Sequence, residues 1–201
     1  MIVLVNLKGG TGKTTLATHV AEDLMAHLVD LDPQGDAFAW ATRSGVVTAS
    51  QAHGSKEALD LVKAARADGP VVVDCPPGER ASIRAALSVA TVAVVPAKGA
   101  MQDLRAVGRM MELVDEARAN GNPTLKVGLV LNEARMVTSM AAVAGNAMEK
   151  VRGACYLGHI GLRQAFVEAF ADGKTVRSGP AQKETQALLV NLHRLLRSRK
   201  P

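Results

Sequence analysis

At 201 residues, 48% of them hydrophobic, the chain has the length for one well-cored domain rather than two, and its composition excludes a large disordered region. Aromatic residues make up only 2%, so the core must be built of Ala, Val, Leu and Met, and binding of single strands by stacking on aromatic platforms is excluded. A net charge of +5 permits a polyanionic partner without requiring one, while two cysteines, Cys75 and Cys155, make neither a disulfide framework nor a zinc site.

The chain runs from Met1 straight into "IVLVN" (2–6), with no basic segment or cleavage site, so no signal peptide is expected. No apolar run reaches the length of a membrane span. The run 2–6 is rich in β-branched residues and reads as a strand buried on both faces. It leads into "VNLKGGTGKTTLA" (5–17), a glycine-rich loop that opens a helix near Gly12. Gly9, Gly10, Thr11 and Gly12 let the backbone approach an anion and aim successive N–H groups at it, aided by the helix N-terminus. Lys13 is placed to reach the β- and γ-phosphates of a nucleotide, Thr14 to ligate Mg²⁺, and Thr15 to complete the cradle. Leu7 stands where the strict pattern has glycine, and an extra lysine, Lys8, follows it.

The next apolar run, "HLVDL" (27–31), is expected as an edge strand, although only a short stretch follows the first helix and no glycine marks the turn between them. It ends in "VDLDPQGD", where Asp30 and Asp32 cannot face the same way while the strand persists. Asp32 is the better group to orient an attacking water. "SKEALDLVKAARADG" reads as a helix from Ser55 to Gly69. "PVVVDC" (70–75) is a strand whose terminal Asp74, at the sheet's carboxyl edge, would hold Mg²⁺ together with Thr14. "VAVVP" (92–96) and "KVGLVLN" (126–132) are further strands, and Asn132 at the end of the second could approach an adenine. Between them "QDLRAVGRMMELVDEARANG" carries Leu104, Val107, Met111 and Val114 on one helical face. The final segment, "KETQALLVNLHRLLRSRK", places Leu188, Leu189, Leu192, Leu195 and Leu196 on one stripe, and the late chain is basic. Strand–helix alternation of this kind predicts a single α/β domain over 1–201, a mostly parallel twisted sheet with helices on both sides.

Three elements together, K-G-G-T-G-K-T-T with its leading Lys8, D-L-D-P-Q-G, and the apolar strand ending D-x-P-P-G, resemble the ParA/MinD family of deviant Walker ATPases, within the P-loop NTPase fold. The late "HIGLRQAFVEAFADGKTV" resembles the family's late segment, and Trp40 together with the short length resembles the small plasmid-partition type. The resemblance implies ATP and Mg²⁺ as cofactors, with Asp32 joining Thr14 and Asp74 around the metal. It implies catalytic roles for Lys8, Lys13 and Asp32, with Lys8 crossing a homodimer interface to the partner's phosphates. It implies weak intrinsic ATP hydrolysis, a ParB-like activator or adaptor, and non-specific binding of duplex DNA by a cytoplasmic, nucleoid-associated protein. Arg163, Lys174, Arg177, Arg197 and Arg199 are the residues for DNA phosphates. The alternative is a MinD-like protein docking on membrane through the leucine-striped last helix, though no membrane partner is expected.

Overall fold

The computed structural model describes residues 1–52, 57, 60, 61, 65, 67–135 and 139–198. Seven parallel strands form one sheet in the order β3-β2-β4-β1-β5-β6-β7. They are β1 (Ile2–Leu4), β2 (His27–Asp30), β3 (Ala49–Gln51), β4 (Val71–Asp74), β5 (Val92–Ala97), β6 (Lys126–Ala134) and β7 (Cys155–Gly161). The helices are α1 (Lys13–Asp23), α2 (Asp36–Ser44), α3 (Arg80–Val89), α4 (Met101–Ala119), α5 (Ser139–Glu149), α6 (Gln164–Ala171) and α7 (Gly179–Arg197). Of the helix expected from Ser55, the described residues Glu57, Asp60, Leu61, Ala65 and Ala67 are helical; Ser55 and most of the rest lie outside the described residues.

Alternation along the strands divides the core in two. Ile2 and Leu4 of β1 point into a cluster with Leu16 and Val20 of α1, Trp40 of α2 and Leu188 and Leu192 of α7. Val3 and Val5 point the other way, toward Ile83 and Leu87 of α3, Met110 of α4 and Met148 of α5. Successive residues of a strand face opposite sides, so a sheet covered twice demands an unbroken apolar run. Trp40 and Phe166 are the buried aromatics of these clusters, Tyr156 and Phe170 pack at their margins, and aliphatic side chains and methionine fill most of the remainder.

Two expectations change. The strand at 27–30 is not an edge: it lies between β3 and β4, and β3 occupies the rim. The last helix begins at Gly179, with Pro180 in its first turn, four residues before Lys183. Its Leu188, Leu192 and Leu195 are buried against the sheet, so the apolar stripe that the membrane reading needed is already covered. Among the described residues no helix is long and apolar enough to cross a membrane.

The passage from α1 to β2 is short, and its turn is specific. The Ala26 N–H donates to the Ala21 carbonyl (2.8 Å) and the Met25 N–H to that of Glu22 (3.2 Å), the paired bonds of a Schellman motif. Met25 takes the left-handed position, φ 48°, that glycine usually fills. The chain ends α1 and enters β2 with three residues between.

Candidate nucleotide site

β1 lies where the strand order reverses, and the carboxyl ends of β1, β2 and β4 are level: Leu4 pairs with Asp74 and Asp74 with Asp30. This is where open α/β sheets bind ligands. The loop after β1 is pinned by buried Asn6, whose Nδ2 donates to the Pro96 carbonyl (2.7 Å) and whose Oδ1 accepts the Lys8 N–H (2.9 Å). Gly12 caps α1 with φ 86°, and a Cβ there would lie 2.0 Å from Asn132 Nδ2. Asn132 closes on the loop by donating to the Thr11 carbonyl (2.8 Å). No side chain caps the start of α1 and no acid occupies its first turn, so its free N–H groups are left for an anion.

Lys13 is 6% exposed, and its nearest described acceptor is the Lys8 carbonyl at 3.5 Å. Burial lowers its pKa, against the opposing fields of Asp74, Cys75 and Asp32. A desolvated ammonium with so weak a partner is poised for an anionic ligand. Thr14 Oγ1 donates to Asp74 Oδ2 (2.6 Å), while the other Asp74 oxygen, Oδ1, is buried without a hydrogen-bond partner. Burial pushes the Asp74 carboxyl up to about 7; the Thr14 hydrogen bond opposes the rise and the neighbouring Asp30 adds to it. A hydroxyl, a buried carboxylate and an orphaned oxygen suit a hard divalent cation. Among the described residues no group of three or more His, Cys, Asp or Glu could hold a metal by itself, so a cation here needs ligand oxygens as well.

Asp30 and Asp32 separate by role. Asp30 is fully buried at the end of β2 and accepts the N–H groups of Asp32 (2.9 Å) and Phe38 (3.0 Å), fixing the turn and the start of α2. Asp32 lies beyond the strand, half-buried, with Oδ1 accepting the Gln34 N–H (3.0 Å), and lines the cleft. The cleft measures about 360 Å³ and is bounded by Gly10, Gly12, Thr14, Asp32 and Pro77. Lys8 is not part of its wall. Its Nζ extends to Asp103 Oδ1 (2.6 Å), a carboxylate only 2% exposed in the first turn of α4.

A second cavity, about 260 Å³, opens beside the first and shares Gly12, Thr15 and Glu133 with it. Its wall is apolar: Leu16, Ile160, Leu162, Phe166, Val167 and Phe170. Asn132 also lines it, although the Asn132 amide nitrogen is engaged by the loop. Behind Phe166 lies His19, 5% exposed, with Nδ1–H donating to the Thr15 carbonyl (2.8 Å) and Nε2 accepting the Val176 N–H (3.1 Å). That pairing requires a neutral ring, in keeping with a pKa lowered by burial.

The basic residues do not form one surface. Arg163 grips Glu184 with two nitrogens, Arg177 pairs with Glu22, and Lys174 lies 3.3 Å from Asp172. Arg197 is exposed thirteen residues beyond Glu184 on α7, about 20 Å along the helix. It sits near the start of β6, where Lys126 Nζ reaches the Leu196 and Ser198 carbonyls. Arg199 lies outside the described residues. Sequence reasoning missed Asp103, Phe166 and Glu133. Asp103 could have been flagged as an acid at a helix start, whereas Phe166 reads as core and nothing local marks Glu133.

Comparison with known proteins agrees with this geometry. A maintenance of carboxysome distribution protein A from Halothiobacillus neapolitanus is 29% identical over 195 residues, covering 87% of this chain and 85% of its own. The chromosome partitioning protein ParA of Caulobacter vibrioides is 26% identical over 185 residues, covering 65% and 68%. In fold, the chain resembles a putative plasmid partition protein from Borrelia burgdorferi B31 bound to AMPPNP, with a TM-score of 0.79, 14% identity, and 96% and 98% of the two chains covered. The model of the CobQ/CobB/MinD/ParA nucleotide binding domain matches residues 2–176, and the chain belongs to that family.

Proposed function

We propose that the protein is a positioning ATPase of the ParA type, which closes into a dimer on ATP and opens when ATP is hydrolysed. Lys8 carries this reading. It points away from its own cleft to Asp103 at the rim with its side chain 42% exposed, which places it to exchange that carboxylate for a second subunit's phosphates instead of acting as a second ligand in cis. Lys13 and the α1 N-terminus bind the β- and γ-phosphates, and Asp32 orients the attacking water. Thr14 and Asp74 hold Mg²⁺, with Asp32 near it; the ion supplies charge neutralisation at the phosphates when bound. The apolar cavity receives the base. Lys174 and Arg177, on the loop between α6 and α7, are the first choice for duplex phosphates, with Arg163 and Arg197 at greater distance.

The cargo is read from relatives. One acts in carboxysome distribution and another in chromosome partitioning, so both a protein assembly and DNA stand as cargo, with an adaptor protein as activator. The MinD-like membrane reading loses its main support because the leucine face of α7 is packed on the sheet.

The test uses an Asp32→Ala background, in which ATP should be bound and not turned over. With ATP this protein should elute as a dimer, and adding Lys8→Ala should return it to a monomer that still binds ATP. Duplex binding to unrelated sequences should require ATP and weaken steeply with salt, because two subunits neutralise more phosphates than one. Dimerisation of the Lys8→Ala protein, or equal DNA affinity with ATP, ADP and no nucleotide, would contradict the proposal.

A further inference from the structure

Glu133 is one of two non-glycine residues with positive φ among the described residues, at 52°. It sits where β6 carries one residue more than β7: Leu131 pairs with His159 and Ala134 with Gly161. Such a bulge re-aims a side chain, and the left-handed backbone costs roughly 1 kcal/mol or more for a residue with a Cβ. The backbone is held there by paired strand on either side, so the unusual conformation belongs to the position. What it presents is a carboxylate at the junction of the two cavities, which Glu133 and the α1 cap residues share.

A carboxylate is an odd wall for a phosphate cleft. It accepts hydrogen bonds and donates none, and it repels phosphate oxygens. Lys98 offsets the repulsion by pairing with Glu133 Oε2 at 2.6 Å, which fixes the side chain in place. A nucleotide with phosphates on the α1 N-terminus and base in the apolar cavity must pass its sugar across this junction. The sugar offers two adjacent hydroxyl donors, the complement of a carboxylate with free lone pairs. The same chemistry serves dinucleotide-binding folds, where an acidic residue reads a ribose hydroxyl.

We infer that Glu133 is a specificity residue that accepts hydrogen bonds from the ribose hydroxyls, selecting ribonucleotides over deoxyribonucleotides. The inference rests on the nucleotide reading of the site. Lys98 is the positioning residue that orients the carboxylate.

The experiment measures binding of ATP, 2′-deoxy-ATP and ITP by calorimetry to the parent, Glu133→Gln and Glu133→Ala, with melting curves to confirm folding. A hydrogen bond to a charged group makes ATP about tenfold tighter than 2′-deoxy-ATP in the parent. Glu133→Ala should bring that ratio close to one, by weakening ATP more than 2′-deoxy-ATP, which has only the 3′ hydroxyl to lose a partner for. Glu133→Gln, which keeps one acceptor, should fall between. A parent that binds both equally, or a ratio that survives in Glu133→Ala, overturns the inference. So does a change confined to the ATP-to-ITP ratio, which would mean that Glu133 reads the base. A parent that binds none of the three triphosphates removes the nucleotide reading itself.

Discussion

The two ends of the cleft are built by opposite means. The end proposed for phosphates is made of backbone and charge: an uncapped helix, glycines at positive φ, a buried lysine and a carboxylate with an idle oxygen. The end proposed for the base is made of shape: six apolar side chains from α1, the end of β7 and α6, with Glu133 and Asn132 at their border. Charge and backbone at the first end act over contiguous residues and tolerate no replacement. Shape at the second end is shared among many side chains, each of which is partly replaceable. Substitutions at the two ends should therefore differ in size by more than an order of magnitude.

The largest effect falls on the phosphate end. Lys13→Ala removes a buried cation that serves the ligand and little else, so ATP affinity should drop by at least about a hundredfold with the fold retained, as read by calorimetry and melting. Equal affinity in parent and variant would break the contrast at its root.

Asp74→Asn comes next and separates folding from binding. Burial raises the Asp74 pKa to about 7, above its unfolded value. Its contribution to stability is thus complete below about pH 4 and is lost as pH rises through 7, where the chain must bury a carboxylate. The variant, neutral at every pH, should match the parent near pH 4, gain on it up to about pH 7 and hold a lead of a few kcal/mol above that. Mg²⁺-dependent ATP binding should be lost at the same time. A melting-temperature difference that is flat across pH would refute the buried-charge account.

At the base end the expected loss is smaller. Phe166→Leu keeps an apolar wall and removes only ring area, so ATP should weaken by about threefold to tenfold and stability by about 1 kcal/mol. A loss as large as that of Lys13→Ala would erase the distinction between the ends. The smallest effect lies outside the cleft: Met25→Gly relieves the left-handed residue after α1 and should stabilise the protein by about 1 kcal/mol without touching ATP binding. Denaturant titration at constant m-value is the measurement.

The same contrast explains what could be read in advance. Anion binding needs particular residues in unbroken order after a strand, and Lys8 to Thr15 stand in such order, with Asp32 and Asp74 at further strand ends, so the loop and its two neighbouring carboxylates could be singled out before the fold was seen. The base end is assembled from β6, β7 and α6, and its Phe166 and Ile160 look like any core residues until the fold brings them together. The five central strands were evident because burial on both faces leaves continuous apolar runs. β3 ("ASQ") and β7 ("CYLGHIG") were not, because each lies at a rim and carries polar or glycine residues. The three-residue passage from α1 to β2 was visible as a shortage of chain, but its Schellman turn was hidden because Met25 gives no cue for a left-handed residue.

Those two rims also bear on how copies of the chain can meet. β3 offers a ladder of only three residues, and β7 is interrupted by register shifts and by Gly158 at φ 120°. Neither can template a long, regular strand from a neighbour. Growth by sheet extension, the route to open-ended fibres, is thereby discouraged on both sides. In the proposed dimer, self-association would instead use the face that carries Lys8, where a two-fold contact closes on itself and stops at two.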